Sequence, residues 1–321
     1  MTRLLLNPWL LFAAGVLLVP QAVTNQYYFT LLNIIGIHTI LVVGLNLLMG
    51  YAGQISLGHA AFFGLGAYTS GILTAAGVVN PWLALLLGLV VSGSAAFLIG
   101  IPVLKLRGYY LAMATLGFGV IIFIVLVQGH RFTGGPSGLH GIPSLSLGGF
   151  PLDTPFRLYF LVWTCVGLLL AFSANLVDSR VGRALRALHD SETAAQSLAV
   201  HTARLKLQIF VLSALYASLA GSLYAHTLNF IAPSSFDIMF SIKLVTMVVV
   251  GGMASIWGSL LGAATLTVLP EFLAFFQEFE VVIYGAILMV VMIFLPRGLV
   301  RGLMDLWERR HRLTEGGTTP G

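Results

Sequence analysis

The chain has 321 residues, 58% of them hydrophobic and only 8% charged, with a mean hydropathy of +0.96. Soluble domains carry about 25% charged residues, so this composition excludes a soluble globular protein and predicts an integral membrane protein. The 16 Lys and Arg residues exceed the 11 Asp and Glu residues. We interpret this excess as basic loops on the cytoplasmic side of a bilayer and not as a nucleic-acid-binding surface.

Apolar segments recur along the chain at about the length of one membrane crossing. Residues 4–104 contain no charged side chain, and at about 20 residues per helix this stretch holds about four spans. The apolar segments are 9–24, 28–49, 54–78, 82–104, 109–128, 158–177, 208–229, 241–269 and 281–296. We predict an all-α, polytopic helical bundle of about 8–10 transmembrane helices, forming a single domain over residues 1–321.

The orientation of the bundle follows from the positions of Lys and Arg. Residues 178–206 and the tail 297–321 carry five basic residues each, so both are predicted to be cytoplasmic, as are both chain termini. Lys105 and Arg107 predict a third cytoplasmic turn. The Gly- and Pro-rich loop 129–157 is then external.

The segments on the C-terminal side predict an interruption in one of them. Three apolar segments, an odd number, lie between two regions that should both be cytoplasmic. Segment 241–269 is too long for one ordinary span and contains Gly251, Gly252 and Ser255. We therefore predict a broken or re-entrant element there, which membranes tolerate only where protein or a water-lined cavity covers the freed backbone groups.

Small residues recur every fourth position in two segments, which predicts close helix packing. The two stripes are Ser213, Ala217, Gly221 and Ala225, and Ala254, Gly258 and Gly262.

Residue patterns typical of membrane enzymes and of ion-coupled transporters are missing from the sequence. The eight histidines form no HExxH motif, no GK[ST] phosphate loop is present, and the single cysteine, Cys165, excludes a disulfide framework. We therefore expect no catalytic residue, no metal and no cofactor. The spans contain almost no ionisable residues, which disfavours ion coupling within this chain. A self-sufficient secondary transporter or channel for small polar solutes is the alternative.

The loop 178–206 is the most informative polar region. Arg183, Arg186 and Asp190 are spaced to share one helix face. Asp190 or Ser191 can cap a second short helix, with Glu192 in its first turn. That helix would present a small apolar face: Ala194, Ala195 and Leu198. From the residues alone, this pattern fits either a helix that docks into a groove on a partner or a solvated loop.

Three long motifs carry a resemblance to a known family. They are GLNLLMGYAGQISLGHAAFFGLGAYTSGIL at 44–73, GRALRALHDSETAAQSLAV at 182–200 and MVVVGGMASIWGSLLGA at 247–263. In order and spacing they resemble permease subunits of branched-chain amino acid ABC importers, of the LivM type. The resemblance implies that 178–206 is a coupling loop fitting a groove on an ATPase, through Gly182, Arg183, Arg186, Asp190, Glu192, Ala194, Ala195 and Leu198. Ala199 stands where the family usually has glycine.

The resemblance also implies an assembly in a bacterial inner membrane. Its other members would be a second, related permease, two cytoplasmic ATPases that supply the energy, and a periplasmic substrate-binding protein. The cargo would be a branched-chain or related hydrophobic amino acid, with specificity set largely by the binding protein. Contacts with membrane lipid are expected, and none with nucleic acid.

Two polar clusters are candidates for the substrate path. The first is Gln54, Ser56, His59, Tyr68 and Thr69, whose neutral hydrogen-bonding groups could let a zwitterion pass without tight binding. The second is Gly251, Gly252 and Ser255, because the ends of half-helices can face a cavity. The alternative interpretation is that both clusters only join helices.

Overall fold

The computed structural model describes residues 8–23, 25–147, 150–198 and 200–273, together with residues 285, 286, 289 and 293. Its helices are α1 (Pro8–Ala22), α2 (Gln26–Asn46), α3 (His59–Ala75), α4 (Pro81–Val103), α5 (Tyr109–Gln128), α6 (His130–Thr133), α7 (Pro155–Asp178), α8 (Arg180–Asp190), α9 (Glu192–Ser197), α10 (Thr202–Leu228), α11 (Ile238–Gly251) and α12 (Ile256–Leu273). The predicted basic tail and all but four residues of the predicted span 281–296 lie outside the described residues.

Six helices of the described chain are long and apolar enough to cross a membrane. They are α2 with its extension to Tyr51, α4, α5, α7, α10 and α12, while α1 and α11 are shorter apolar helices. The predicted all-α polytopic membrane bundle is therefore confirmed. The predicted span 54–78 is wrong at its start, because residues 52–58 are not helical and α3 begins only at His59.

Helix α2 forms the centre of the bundle. It continues as a π-helical turn over Leu47–Tyr51, and its residues are buried on every side from Ile35 onward. A helix that is apolar all round is stable only inside a larger structure. Accordingly α7, α10, α11 and α12 all pack against it.

Helices α3 and α10 cross in close contact because small residues line both surfaces. A side chain at Gly66 would overlap the Ser218 backbone, and one at Gly221 would overlap the Phe63 carbonyl. All four residues of the predicted α10 stripe are buried. This stripe is thus a packing surface, as predicted.

Helices α11 and α12 form the predicted broken element. The chain reverses at residues 252–255, and the two helices then pack together through Gly251, Gly258 and Gly262, where side chains would overlap the facing backbone. Ala254 does not belong to the second stripe as predicted. It lies in the turn with a φ of 56°, outside the helix that carries Gly258 and Gly262.

The side chain of Asn46, on α2, holds this turn in place. Its Nδ2 donates to the Ser255 carbonyl at 2.9 Å and to Ser259 Oγ at 2.8 Å, and its Oδ1 accepts the Ala254 N–H at 3.0 Å. Asn46 is 1% exposed. One buried amide therefore supplies the hydrogen bonds that a chain reversal inside the bundle would otherwise lack.

The bundle has two distinct ends. Arg107, after α4, pairs with Glu192 at the start of α9, so the α4–α5 turn and residues 178–201 lie together at what we call the basic end. At the opposite end β1 (Leu139–His140) pairs antiparallel with β4 (Phe230–Ile231), and β2 (Ser146–Leu147) pairs with β3 (Phe150–Pro151). His226 Nδ1 and the Pro143 carbonyl, 2.7 Å apart, tie this end to α10.

We expect Asn46→Ala to lower the stability of the chain by about 1–3 kcal/mol, because the half-buried Ala254 N–H loses its acceptor and the two bonds donated by the buried amide are lost. Asn33→Ala is the matched control. Asn33 is equally buried on the same helix, but its amide makes a single bond, to the Pro155 carbonyl at 2.9 Å. Thermal unfolding of the purified variants in detergent should rank Asn46→Ala below Asn33→Ala. Equal unfolding temperatures would contradict the role of Asn46.

Candidate functional site

Helix α8 is amphipathic and begins at a tightly capped turn. Ser179 Oγ accepts the Val181 N–H at 3.1 Å, which satisfies one of the free donors at the helix start. Gly182 is required here because a side chain would overlap the Val177 carbonyl of α7. Leu185 and Leu188 are buried against the bundle. The helix is therefore fixed beneath α7 along its apolar side.

The charged side of α8 faces outward. Arg183, Arg186 and Asp190 are all exposed, in agreement with the predicted shared face. Arg183 Nη1 donates to the Asp178 carbonyl at 3.5 Å, but the three side chains remain exposed, so this face is available to another molecule.

The sequence predicted a single apolar face on the second short helix, α9, but in the structure the residues of that face point in different directions. Ser191 Oγ caps it by accepting the Ala194 N–H at 3.3 Å. Ala195 is fully buried and its carbonyl accepts the Val200 N–H, so it points into the bundle. Ala194 is exposed, and Leu198 is 74% exposed. Only these two of the three predicted residues face outward.

Glu192 anchors α9 to two other elements. Its carboxylate lies 2.8 Å from Lys206 Nζ on α10 and 3.1 Å from Arg107 Nε after α4. The Lys206 side chain is 4% exposed and that of Glu192 19%. The carboxylate thus points inward, and its structural role is to fix the position of α9.

The basic end also contacts the central helix. The ring and Cα of His189, at the end of α8, lie against Gly53, just beyond the π-helical turn of α2. A displacement of α8 and α9 would therefore change their contacts with α2, with α10 and with the α4–α5 turn. These are the elements that a moving loop would have to displace to rearrange the bundle.

The path candidates of the first cluster lie at the start of α3 and before it. Ser56 and His59 are buried, and the Ala60 N–H after them donates to Ser241 Oγ on α11 at 3.2 Å. Ser56 Oγ, His59 Nε2 and the Tyr68 hydroxyl are buried with no hydrogen-bond partner in the described part of the chain. Gln54 bonds to the Ala52 carbonyl, and Thr69 is half-buried.

The second cluster has a structural explanation. Gly251 and Gly252 are buried in the hairpin, and Ser255 Oγ accepts the Gly258 N–H at 3.0 Å, which caps the start of α12. Cavities of about 470, 630 and 340 Å³ open on the described surface, and none of the three is lined by a path candidate.

Three residues that organise the site were not identified from the sequence: Asn46, Arg107 as a partner of Glu192, and Lys206 as its buried partner. A lone Asn within an apolar helix is a recognisable signal, because such side chains bond across helices. The pairing of Glu192 with Lys206 has no comparable signal. It depends on how α9 folds back on α10.

Comparison with known proteins identifies the family. Residues 27–293 match the family described as branched-chain amino acid transport system / permease component. The chain is 36% identical over 287 residues to the high-affinity branched-chain amino acid transport system permease protein LivM of Salmonella typhimurium, covering 82% of this chain and 68% of that protein. The chain belongs to this permease family.

More distant relatives extend the match. The permease protein LivH of the same Salmonella system is 24% identical over 280 residues, covering 82% of this chain and 91% of LivH. A probable LivM of Methanocaldococcus jannaschii is 21% identical over 316 residues, 83% of this chain and 90% of that protein. No solved structure gives a significant match. Salmonella therefore has two permease proteins of one transport system, and both are similar to this family member.

We expect Lys206→Ala to destabilise the permease, because the Glu192 carboxylate then keeps only one of its two basic partners, Arg107, next to an apolar core. Breaking a buried ion pair costs about 3–5 kcal/mol, and the partial exposure of Glu192 favours the lower end of that range. Lys105→Ala, which removes an exposed lysine near the same site, is the control. The double variant Glu192→Gln/Lys206→Met should regain most of the lost stability.

Thermal unfolding of these variants gives the ranking, and hydrogen exchange over residues 192–198 reports whether α9 is released. A Lys206→Ala chain as stable and as protected as Lys105→Ala would contradict the anchoring role.

Proposed function

We propose that the chain is the transmembrane permease subunit of an ATP-driven importer, and that it forms part of the path of branched-chain or related hydrophobic amino acids across a bacterial inner membrane. The family match supports the transport role. The observation that carries the proposal is the pair of short helices at the basic end, which is anchored inward by Glu192 and leaves Leu198 outward. Such an exposed apolar residue on a fixed helix is suited to a groove on an ATPase.

Four partners are proposed on these grounds. Two ATPases would bind α8 and α9 at the basic end, which positive charge assigns to the cytoplasm together with both termini. A binding protein would approach the opposite end, where Phe132 and Phe150 are exposed. The fourth partner is a second permease.

Helix α5 is the proposed contact with the second permease. The only buried residues of this helix are Leu111, Ala112, Thr115 and Leu126, and Gly117 has no neighbouring atom of the described chain within 4 Å of the position of a Cβ. Small residues on an outward membrane surface permit close approach of another helix. The existence of two related permease proteins in the Salmonella system supports this arrangement.

The proposed mechanism transmits motion through the basic end. Closure of an ATPase dimer would displace α8 and α9, which contact α2 through Gly53 and hold α10 through Glu192. The permease contributes geometry and no chemical step. The ATPases supply the energy, so the chain is not expected to have enzymatic activity of its own.

Leu198→Asp should abolish ATPase binding while leaving the permease folded, because it places a charge in the proposed apolar contact. Val78→Asp makes the same kind of change at an exposed position of the α3–α4 turn, at the opposite end, and should leave ATPase binding unchanged. Co-purification of the ATPases measures the first effect. Uptake into liposomes holding both permeases, both ATPases and the binding protein measures transport, which should require ATP.

Two different results would count against the proposal. Normal ATPase binding by Leu198→Asp would remove the docking role of α9 and leave the family assignment intact. Uptake by the purified chain alone, driven by an ion gradient, would favour the secondary transporter.

The first polar cluster is the proposed path, together with the facing surface of the second permease. Its support is the set of buried hydroxyls without partners, Ser56 Oγ and the Tyr68 hydroxyl, since buried polar groups in native proteins are normally bonded. Neutral groups of this kind can exchange hydrogen bonds with a passing zwitterion. The residues near Gly251 serve the hairpin and are a weaker candidate.

Ser56→Ala and Tyr68→Phe should reduce the transport rate severalfold without lowering stability, because removing an unpaired buried hydroxyl breaks no bond within the chain. Ser70→Ala is the contrasting control. Its hydroxyl lies 2.8 Å from His226 Nε2, so its loss should lower the unfolding temperature. Unchanged transport in both Ser56→Ala and Tyr68→Phe would show that these groups only pack between helices.

A further inference from the structure

A groove runs along the outer side of the contact between α4 and α10. At the basic end it widens into a cavity of about 470 Å³, within the range of small-molecule sites, about 300–1,000 Å³. Apolar residues of both helices form one wall: Gly100, Ile101, Leu104 and Leu207. Polar and charged residues form the other: Lys105, Arg107, Glu192, Gln196, Thr202, Arg204 and Lys206.

The charges of this cavity do not balance. Four basic side chains face one carboxylate, and that carboxylate is already shared by Lys206 and Arg107. Lys105 and Arg204 are exposed and have no acidic partner among the described residues. The net positive charge of the cavity therefore favours an anionic occupant over an apolar helix of a protein partner, which would offer the two cations no opposite charge.

The groove continues into the apolar zone. A second cavity of about 630 Å³ is lined by Leu89, Val90, Gly93, Ser94, Phe97, Leu98, Val211 and Leu215. Both cavities use the same two helices, and on α10 Leu207 and Leu215 are eight residues apart, or about 12 Å. The two cavities thus lie in line along the same pair of helices, a charged one at the basic end and an apolar one that can take a hydrocarbon chain. A free phosphate would use only the first cavity.

We propose that this groove binds an anionic phospholipid of the cytoplasmic leaflet. The phosphate lies between Lys105 and Arg204, and one acyl chain follows the α4–α10 contact past Leu98. Basic pockets between membrane helices on the cytoplasmic side are typical sites for anionic headgroups. The bound headgroup also lies beside Arg107 and Gln196, close to the Glu192 ion pairs that fix α9. The lipid therefore helps to hold α9 in place.

The test uses Trp fluorescence in lipid nanodiscs that contain the full chain with its partner subunits. Leu98→Trp places a reporter in the groove, and Phe172→Trp places one at a similar depth on α7, also on an exposed position. Phosphatidylglycerol with brominated acyl chains is added to a phosphatidylcholine background, and brominated phosphatidylcholine is added in parallel. The fluorescence of the same assembly with the parent chain, which has five native Trp residues, is measured as the background.

Brominated phosphatidylglycerol should quench the Leu98→Trp reporter at a lower lipid fraction than brominated phosphatidylcholine does, and the Phe172→Trp reporter should not distinguish the two lipids. Adding Lys105→Gln and Arg204→Gln should raise the half-quenching fraction roughly 25-fold, at about fivefold for each basic residue near an anionic surface. Arg131→Gln with Arg157→Gln removes the same charge from exposed positions at the opposite end of the bundle and should have no effect.

Three results would overturn the proposal. Equal quenching by the two lipids would mean that the groove does not select anions. Loss of selectivity in excess inorganic phosphate would mean that the site binds the anion without its chain. No quenching of the Leu98→Trp reporter by either lipid would mean that a protein subunit covers the groove.

Discussion

The membrane interior offers no water to the backbone, and this constraint determines where the permease can depart from helical structure. The chain reverses inside the bundle at residues 252–255, and the amide of Asn46 bonds to three groups of that segment and the following turn. The reversal allows α10, α11 and α12 to alternate in direction and brings the end of α12 back to Tyr27 at the start of α2 through Glu271.

The other polar contacts within the bundle are also confined to a few positions. Buried polar groups occur mainly where helices begin, end or meet: Ser70 with His226 between α3 and α10, His38 with Thr267 between α2 and α12, and Glu192 with Lys206 at the basic end. The first two pairs link helices far apart in sequence, and the third links the consecutive helices α9 and α10. Packing of small residues joins helices along their length, and these few polar contacts fix their relative register.

Much of the fold could be predicted from the sequence because the bilayer imposes a length and a polarity on each helix. The predicted span 109–128 coincides with α5, and 82–104 differs from α4 by a single residue at each end. The broken hairpin followed from charge parity, from the excess length of segment 241–269 and from the glycines within it. The start of α3 was mispredicted because residues 52–58 carry no charge, and hydropathy alone does not distinguish an uncharged non-helical segment from a helix.

The site was harder to predict than the spans, because its geometry depends on tertiary contacts. Helix α9 has six residues, and isolated helices shorter than about 12–15 residues are marginal in water. Its position is therefore set by three tethers: the Glu192 ion pairs, the buried Ala195, and the Gln196–Thr202 bond of 2.9 Å. A buried ion pair contributes little net stability compared with apolar packing, but it requires one orientation of its partners. That requirement explains why Leu198 points outward at the end of the short helix α9. The residues that hold α9 point into the bundle, and only the opposite face is left for a partner.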